Sequence, residues 1–414
     1  MRVRPAVLAA ALAVLALALA LVAAAPARAA DAPPSVSAPS AVLMEASTGD
    51  VLYQRAADKR RSIASTTKLM TALLTMERAK LSDEVVASSY VAAPIESKLS
   101  LRPGEVMTVA DLLRGLMLES ANDAAVTLAE HISGTRAAFV RLMNRRAREL
   151  ELGNTHFDNP IGLDGAGNFS SARDLARLAV ALRKHSFVRK IADRTSATLT
   201  TGYRPRTIRN RNTLLGKDEY VNGLKTGHTM SAGYVLVGTR TRKRVTLVSV
   251  VLGTPSYAAR DRDSLALLQW GAGQYHVVRP VDEGAFVDDA EIQYRPGATV
   301  PLVTGDAFRK TLRTDVKVTT RDVGVPRTVT GPVARGQELG VREVYADGER
   351  IATVPIVAEH FVPAADVAQR TKDWFTRLPA LILAVAVLGG TVLVARRLRR
   401  GPRRRPPRSE PEAA

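Results

Sequence analysis

Ser65-Thr66-Thr67-Lys68 stands at the start of a helical run, and its two outer residues, three apart, lie on one helix face. A serine hydroxyl is a weak nucleophile until a base takes its proton, and a lysine with a pKa lowered by desolvation can be that base. The positive end of the helix dipole favours the charge that develops there. The plain alternative is a capping serine beside a solvated lysine, since about one S-x-x-K is expected by chance in 400 residues of average composition. Scanning all twelve lysines finds no other. Ser120-Ala121-Asn122, the only S-x-N, falls where one helical pattern ends and the next begins, where side chains either project into a cleft or cap a helix. Lys225-Thr226-Gly227 begins a strand region that continues through Tyr234. A lysine and a threonine hydroxyl at a strand edge can hold a carboxylate, and the glycine admits another chain or a ligand close to the backbone. K-T-G arises by chance in about a tenth of chains this long, which makes it the most specific of the three.

Other reactive types test blandly. The six histidines, His131, His156, His185, His228, His276 and His360, show no ligand spacing, so no metal site and no cofactor is expected. Asp158, Asp164 and Asp174 fall in a loop and a helix start, where turn and cap duties explain them. With no cysteine in the chain, any covalent nucleophile must be something other than a thiol.

The elements that must position these groups follow from periodicity. Ala41–Glu45, a turn at Ser47–Asp50 and Val51–Gln54 read as a β-hairpin. Helical spacing predicts helices over Thr66–Arg78, Val109–Glu119, Asp123–Ile132 and Ala172–Lys184, with Thr108 and Asp111 forming a capping box and Ser170 and Ser171 preceding the last. Strands follow at Tyr234–Gly238 and Val245–Leu252, then a helix over Tyr257–Trp270. Strands flanking a helical block predict an α+β domain with helices packed on one antiparallel sheet. After Arg279 short β runs punctuated by Gly and Pro predict a small all-β domain. Its strongest signal is the hairpin Val341–Tyr345, Asp347-Gly348, Arg350–Val354.

The ends carry membrane signals. The 414 residues allow two or three domains plus targeting segments. Hydrophobic content of 46% and charged content of 24% exclude wholesale disorder. Arg2 and Arg4, the apolar run Ala6–Ala25 and the pattern Ala27-Arg28-Ala29 read as a secretory signal. Leu378–Ala395 is uncharged and spans about 27 Å if helical, near the thickness of a bilayer core, with Trp374 and Phe375 at its outer interface. Eight arginines follow that run, which places the tail in the cytoplasm and the region between the two apolar runs outside. Of the formal charge of +19, the N-terminal arginines hold +3 and the tail +6, leaving +10 for the middle. With aromatics at only 5% and no basic stripe interleaved with them, nucleic acid is not an expected partner.

The order S-x-x-K, S-x-N, K-T-G, in helix start, interhelical loop and strand, is the penicillin-binding and β-lactamase constellation. The sequence resembles the low-molecular-weight penicillin-binding proteins that are serine-type D-alanyl-D-alanine carboxypeptidases. The likeness runs from about Pro39 to Gln274 through Thr48-Gly49, Ser65–Ala72, Asn159–Asp164, Asn210-Arg-Asn212 and Gly223–Thr229. It implies a transpeptidase-like catalytic domain, a β domain and a C-terminal membrane attachment. It implies Ser65 as nucleophile, Lys68 as general base, Ser120 in the proton relay and Asn122 orienting Lys68 and the substrate amide. Lys225, Thr226 and Gly227 would form the carboxylate-binding strand, aided by Arg211, with the N–H groups of Ser65 and His228 as oxyanion hole. Two positions depart from the family pattern: Ile161 stands where many relatives have His, and Ile63 replaces a frequent Pro.

The resulting expectation is a signal peptide at 1–29, a catalytic domain at 30–276 and a small β-sandwich-like domain at 277–362. A linker at 363–377, a transmembrane helix at 378–395 and an Arg-rich tail at 396–414 complete it. The enzyme would remove the terminal D-alanine from peptidoglycan stem peptides at the outer face of the membrane, with β-lactams as covalent inhibitors. A D,D-endopeptidase shares all three motifs. A β-lactamase of class A would need an E-x-x-L-N after S-x-N, which is missing, and a non-catalytic wall-binding protein would not need the lysine base.

Overall fold

The computed structural model describes residues 32–376 and 378–399; the expected signal segment lies outside them. The described chain divides into two compact units. The first runs to His276 and includes Thr311–Thr314; the second comprises Val277–Lys310 and the residues from Asp315 onward.

The first unit is built on a five-stranded antiparallel sheet. Its strands are β1 (Ser40–Glu45), β2 (Val51–Arg55), β3 (Val221–Thr229), β4 (Gly233–Arg242) and β5 (Val245–Thr254), in the spatial order β2-β1-β5-β4-β3. β1 is buried along its whole length because it lies between β2 and β5 and is covered by helices. β3 is one of the two edge strands, so no further strand among the described residues takes up its outer rim. The helices that matter for the site are α1 (Lys68–Arg78), α2 (Asn122–Ser133), α3 (Ala172–Arg183) and α4 (Tyr257–Gly273).

The first eight residues of α1, Lys68 to Thr75, are all buried. A helix buried on every side is the central strut of its unit, and Leu69, Met70, Leu73 and Leu74 supply its apolar contacts. Leu73→Ala would cost about 2–5 kcal/mol through lost burial and the cavity left behind. α3 starts where Ser171 accepts from the Asp174 N–H, and α4 where Ser256 accepts from the Ala259 N–H.

The expected Val109–Glu119 helix is regular only over Val109–Arg114; Gly115–Glu119 widens into a π-turn that delivers Ser120 in the left-handed region at φ 66°. The capping box is half made. Thr108 accepts from the Asp111 N–H, but the Asp111 carboxylate accepts from Thr200, Thr201 and Arg114 instead of reaching back. A helix over Arg136–Glu149 was not evident from the sequence.

The second unit is a six-stranded sheet of β6 (Phe286–Ile292), β7 (Thr299–Thr304), β8 (Val318–Val323), β9 (Thr328–Val329), β10 (Glu338–Ala346) and β11 (Glu349–Ala358), in the order β8-β10-β11-β7-β6-β9. The β10–β11 hairpin turns on Asp347 and Gly348, both with positive φ, as an Asp-Gly two-residue loop requires. Helix α5 (Val367–Thr376) precedes α6 (Leu378–Arg399), within which Leu381–Arg399 is long and apolar enough to cross a membrane.

Candidate active site

The three signals meet in one cleft. Ser65 sits in a short 3-10 turn, Ala64–Thr67, that runs directly into α1. Ala64 holds φ 46°, a left-handed conformation that costs about 1 kcal/mol or more in a non-glycine residue, and so the chain turns sharply just before the nucleophile. β3 passes immediately beside that turn. A Cβ on Gly227 would lie 2.9 Å from the Ser65 nitrogen, 3.0 Å from the Ala64 Cβ and 2.8 Å from a Val235 methyl, so only glycine lets the strand come this close.

Lys68 Nζ is 3.0 Å from Ser65 Oγ and donates at 2.5 Å to the Ile161 carbonyl. Its side chain is fully buried. Burial holds its pKa well below the ordinary lysine value, the Lys225 charge pushes the same way, and Glu96 and Asp123 oppose. A neutral amine beside a serine hydroxyl can take its proton. Ile161 thus contributes a backbone carbonyl to the site.

Ser120 is buried, and its hydroxyl has no hydrogen-bond partner among the described residues. The fold's own hydrogen bonding thus leaves this buried hydroxyl, on a left-handed residue, uncommitted. Asn122 begins α2, and its Nδ2 donates at 2.6 Å to Glu96 Oε2. Neither contact made by Lys68 Nζ is with Asn122.

Lys225 and Thr226 lie in the middle of β3, not at its start, and both are buried. Burial pushes the Lys225 pKa down to about 7, helped by the Arg211 and Arg260 charges and opposed by Glu119. Its ammonium donates to the Thr226 carbonyl at 3.0 Å. Arg211 reaches the site from the loop before β3 and is ion-paired with Glu119. His228 is exposed at the end of β3 and stacks on Tyr234, ring centroids 4.1 Å apart.

Sequence reasoning missed Glu96 and Tyr90. The Glu96 carboxylate accepts from Tyr90 Oη at 2.5 Å, from Asn122 and from the Ala93 N–H. Burial raises its pKa, but those hydrogen bonds and the Lys68 charge outweigh it and hold the group below the ordinary carboxylate range. It lies in an aperiodic loop 26 residues before Asn122, and the only available signal was a lone carboxylate between Pro94 and Ser97.

A serine with a buried lysine 3.0 Å away, on a helix packed against an antiparallel edge strand, defines an acyl-transferring serine hydrolase. Comparison with known proteins agrees. The family described as D-alanyl-D-alanine carboxypeptidase matches residues 27–256, and the penicillin-binding protein 5 C-terminal domain matches residues 275–364. The chain is 33% identical over 353 residues to D-alanyl-D-alanine carboxypeptidase DacF of Bacillus subtilis, covering 81% of this chain and 90% of that one. It is also 33% identical to DacC of Escherichia coli, covering 82% and 88%. Among solved structures, penicillin-binding protein 5 from Haemophilus influenzae superposes with a TM-score of 0.57 at 32% identity, over 80% of this chain and 99% of that one. A serine-to-alanine mutant of the Streptomyces K15 DD-transpeptidase gives 0.56 at 34%, over 58% and 99%. The chain belongs to the D-alanyl-D-alanine carboxypeptidase family of penicillin-binding serine hydrolases.

Proposed function

We propose that the protein removes the terminal D-alanine from peptidoglycan pentapeptide stems through an acyl-enzyme on Ser65. Neutral Lys68 takes the Ser65 proton as Oγ attacks the carbonyl between the two D-alanines, and the oxyanion forms against the N–H groups of Ser65 and His228. The C–N bond breaks as Lys68, relayed by Ser120, returns the proton to the departing amine. Water then hydrolyses the ester and frees Ser65. Asn122 fixes the substrate amide. Lys225 and Thr226, with Gly227 allowing the close approach, receive the terminal carboxylate, and Arg211 exchanges Glu119 for it. β-Lactams acylate the same serine.

The observation that carries this reading is the 3.0 Å contact between Ser65 Oγ and a fully buried Lys68. On the same reading residues 1–29 are the signal peptide, 30–276 the catalytic domain, 277–362 the β domain and 363–377 the linker. The span at 378–395 anchors the enzyme with its catalytic domain on the wall side and the 396–414 tail in the cytoplasm.

The test uses detergent-extracted full-length chain, wild type and Ser65→Ala, with a synthetic stem ending in D-Ala-D-Ala and free D-alanine as the readout. Many turnovers by wild type and none by the variant are expected. Stable penicillin labelling of Ser65 without D-alanine release would overturn the carboxypeptidase reading.

A further inference from the structure

Beyond His228 the edge strand leads into a second recess. On the reading above, which this inference deepens, Thr226 faces the terminal carboxylate and the His228 N–H faces the scissile carbonyl. Those two positions are about 7 Å apart along an extended strand, the reach of a dipeptide unit. Continuing in the same direction, the chain at Thr229–Gly233 faces the stem residues that precede the D-alanines. A groove of about 550 Å³ opens there, between the β3–β4 turn, the end of β5 at Gly253–Pro255 and the segment Arg60–Ser62 ahead of the nucleophile.

The lining of this groove has a definite chemistry. It includes Arg60 and Arg61 and, among the described residues, no carboxylate. Arg60 lies over the Phe169 ring, 5.0 Å from its centroid, and donates to the Gly153 carbonyl at 3.4 Å, while Arg61 Nε donates to Ser40 Oγ. Neither contact neutralises a guanidinium. Asp164 borders the turn, where its carboxylate accepts from the Thr229 hydroxyl and the Ser231 N–H. One wall is aromatic: His228 and Tyr234 stack on each other in the lining, and Tyr257 meets Tyr234 behind it at a tilt, ring centroids 4.4 Å apart.

We propose that this groove is the subsite for the carboxylate-bearing part of the stem, the acidic residue upstream of D-Ala-D-Ala. Its free carboxylate meets Arg60 and Arg61, and its aliphatic portion lies along His228 and Tyr234. Guanidinium forks suit carboxylates, and these contacts of Arg60 and Arg61 are with a ring, a carbonyl and a hydroxyl rather than with an acid.

The test compares two synthetic pentapeptides that differ only in the γ-linked D-glutamyl residue, as free α-carboxylate or as carboxamide. Full-length wild type is expected to prefer the acid in kcat/KM by about tenfold, the value of one charge-assisted hydrogen bond. The preference should fall toward unity in Arg60→Gln/Arg61→Gln, persist in part in Arg60→Lys, and shrink at high ionic strength. Because it is a ratio within one variant, loss of folded protein does not alter it. Protection of Ser65 from penicillin labelling by each peptide gives the same comparison without turnover, so absent hydrolysis would count against the carboxypeptidase reading and leave the subsite measurable. Equal handling of both peptides by wild type, or an acid preference that survives the double substitution, overturns the subsite.

Discussion

Two buried lysines share the cleft, and the proposed mechanism requires them to carry opposite charge states. Lys68 acts as a base only when neutral, whereas Lys225 attracts a carboxylate only when charged. With its pKa near 7 in the free enzyme, Lys225 loses its cation as pH rises through that value, and a bound carboxylate pulls the pKa back up. kcat/KM reports the free enzyme, so it should show an alkaline limb near pH 7 that is missing from kcat for the same peptide. Limbs at the same pH in both would sink the assignment. The stability sign follows from the same shift. The folded pKa lies below the unfolded value of 10.5, so the unfolded state binds more protons and stability rises with pH between about 7 and 10.5. Lys225→Met should reduce that rise to the part that buried Lys68 contributes, and lift the Tm at pH 7 by on the order of 5 °C while abolishing turnover, as calorimetry and the peptide assay would show.

Glu96 acts on the same pair of motifs from outside them. As an acceptor it fixes which end of the Asn122 amide faces the cleft, and as an anion it opposes the depression of the Lys68 pKa. Glu96→Gln keeps an acceptor and removes the charge, so the acid limb of Ser65 acylation should move to lower pH with a small change in maximal rate. Glu96→Ala removes both and should lower the maximal rate about tenfold or more. Identical pH profiles in wild type and Glu96→Gln would leave Glu96 a loop-fixing residue only. The three motifs were legible because neighbours in the chain set their chemistry. The Glu96–Asn122 and Lys68–Ile161 contacts join residues 26 and 93 positions apart, and no local pattern encodes such pairings.

At the scale of elements, the site is a contact between one turn and one edge strand. Periodicity gave α3, α4 and the hairpins to within a few residues because each buries one face or one turn residue of fixed type, whereas α1, buried all round over Lys68–Thr75, is marked by its uninterrupted run after the serine motif. It did not give Arg136–Glu149, whose buried Phe139, Leu142, Met143 and Ala147 are helically spaced but diluted by five arginines. Nor did it give the Gly115–Glu119 π-turn, which no repeat of apolar residues encodes and which ends on Ser120 in the left-handed region. The tightest constraint is where β3 crosses the Ser65 turn. Gly227→Ala would force strand and turn apart, because the contacted atoms are backbone and a β-branched methyl that cannot swing away. Acylation of Ser65 by penicillin should slow about a hundredfold or more, since an oxyanion donor displaced by even about 1 Å loses most of its value. The Tm should change by only a few degrees, because the strain falls at a sheet edge. A variant acylated at the wild-type rate would show that the strand need not touch the turn.

For the whole molecule the composition supplies a probe of the side of the membrane that each part occupies. The chain has no cysteine, so a single introduced cysteine is the only thiol that a membrane-impermeant maleimide can label. Arg204 is exposed in the first unit, and in the sequence Ser409 follows the arginine block that begins in the last turn of α6. A helix of nineteen apolar-rich residues, Leu381–Arg399, is long enough to span a bilayer, and clustered arginines resist transfer across it. In cells with a permeable wall and intact membrane, Arg204→Cys should label at once and Ser409→Cys only after permeabilisation. Replacing Arg396, Arg397 and Arg399 by Gln should weaken this asymmetry if the positive block sets the orientation. A chain ending at Thr376 should leave the membrane pellet while retaining penicillin labelling. Immediate labelling of Ser409→Cys with Arg204→Cys protected would invert the topology and remove the enzyme from its substrate, since peptidoglycan stems in the wall lie outside the membrane. The catalytic reading and the arginine block therefore stand on one orientation, and this pair of cysteines tests both.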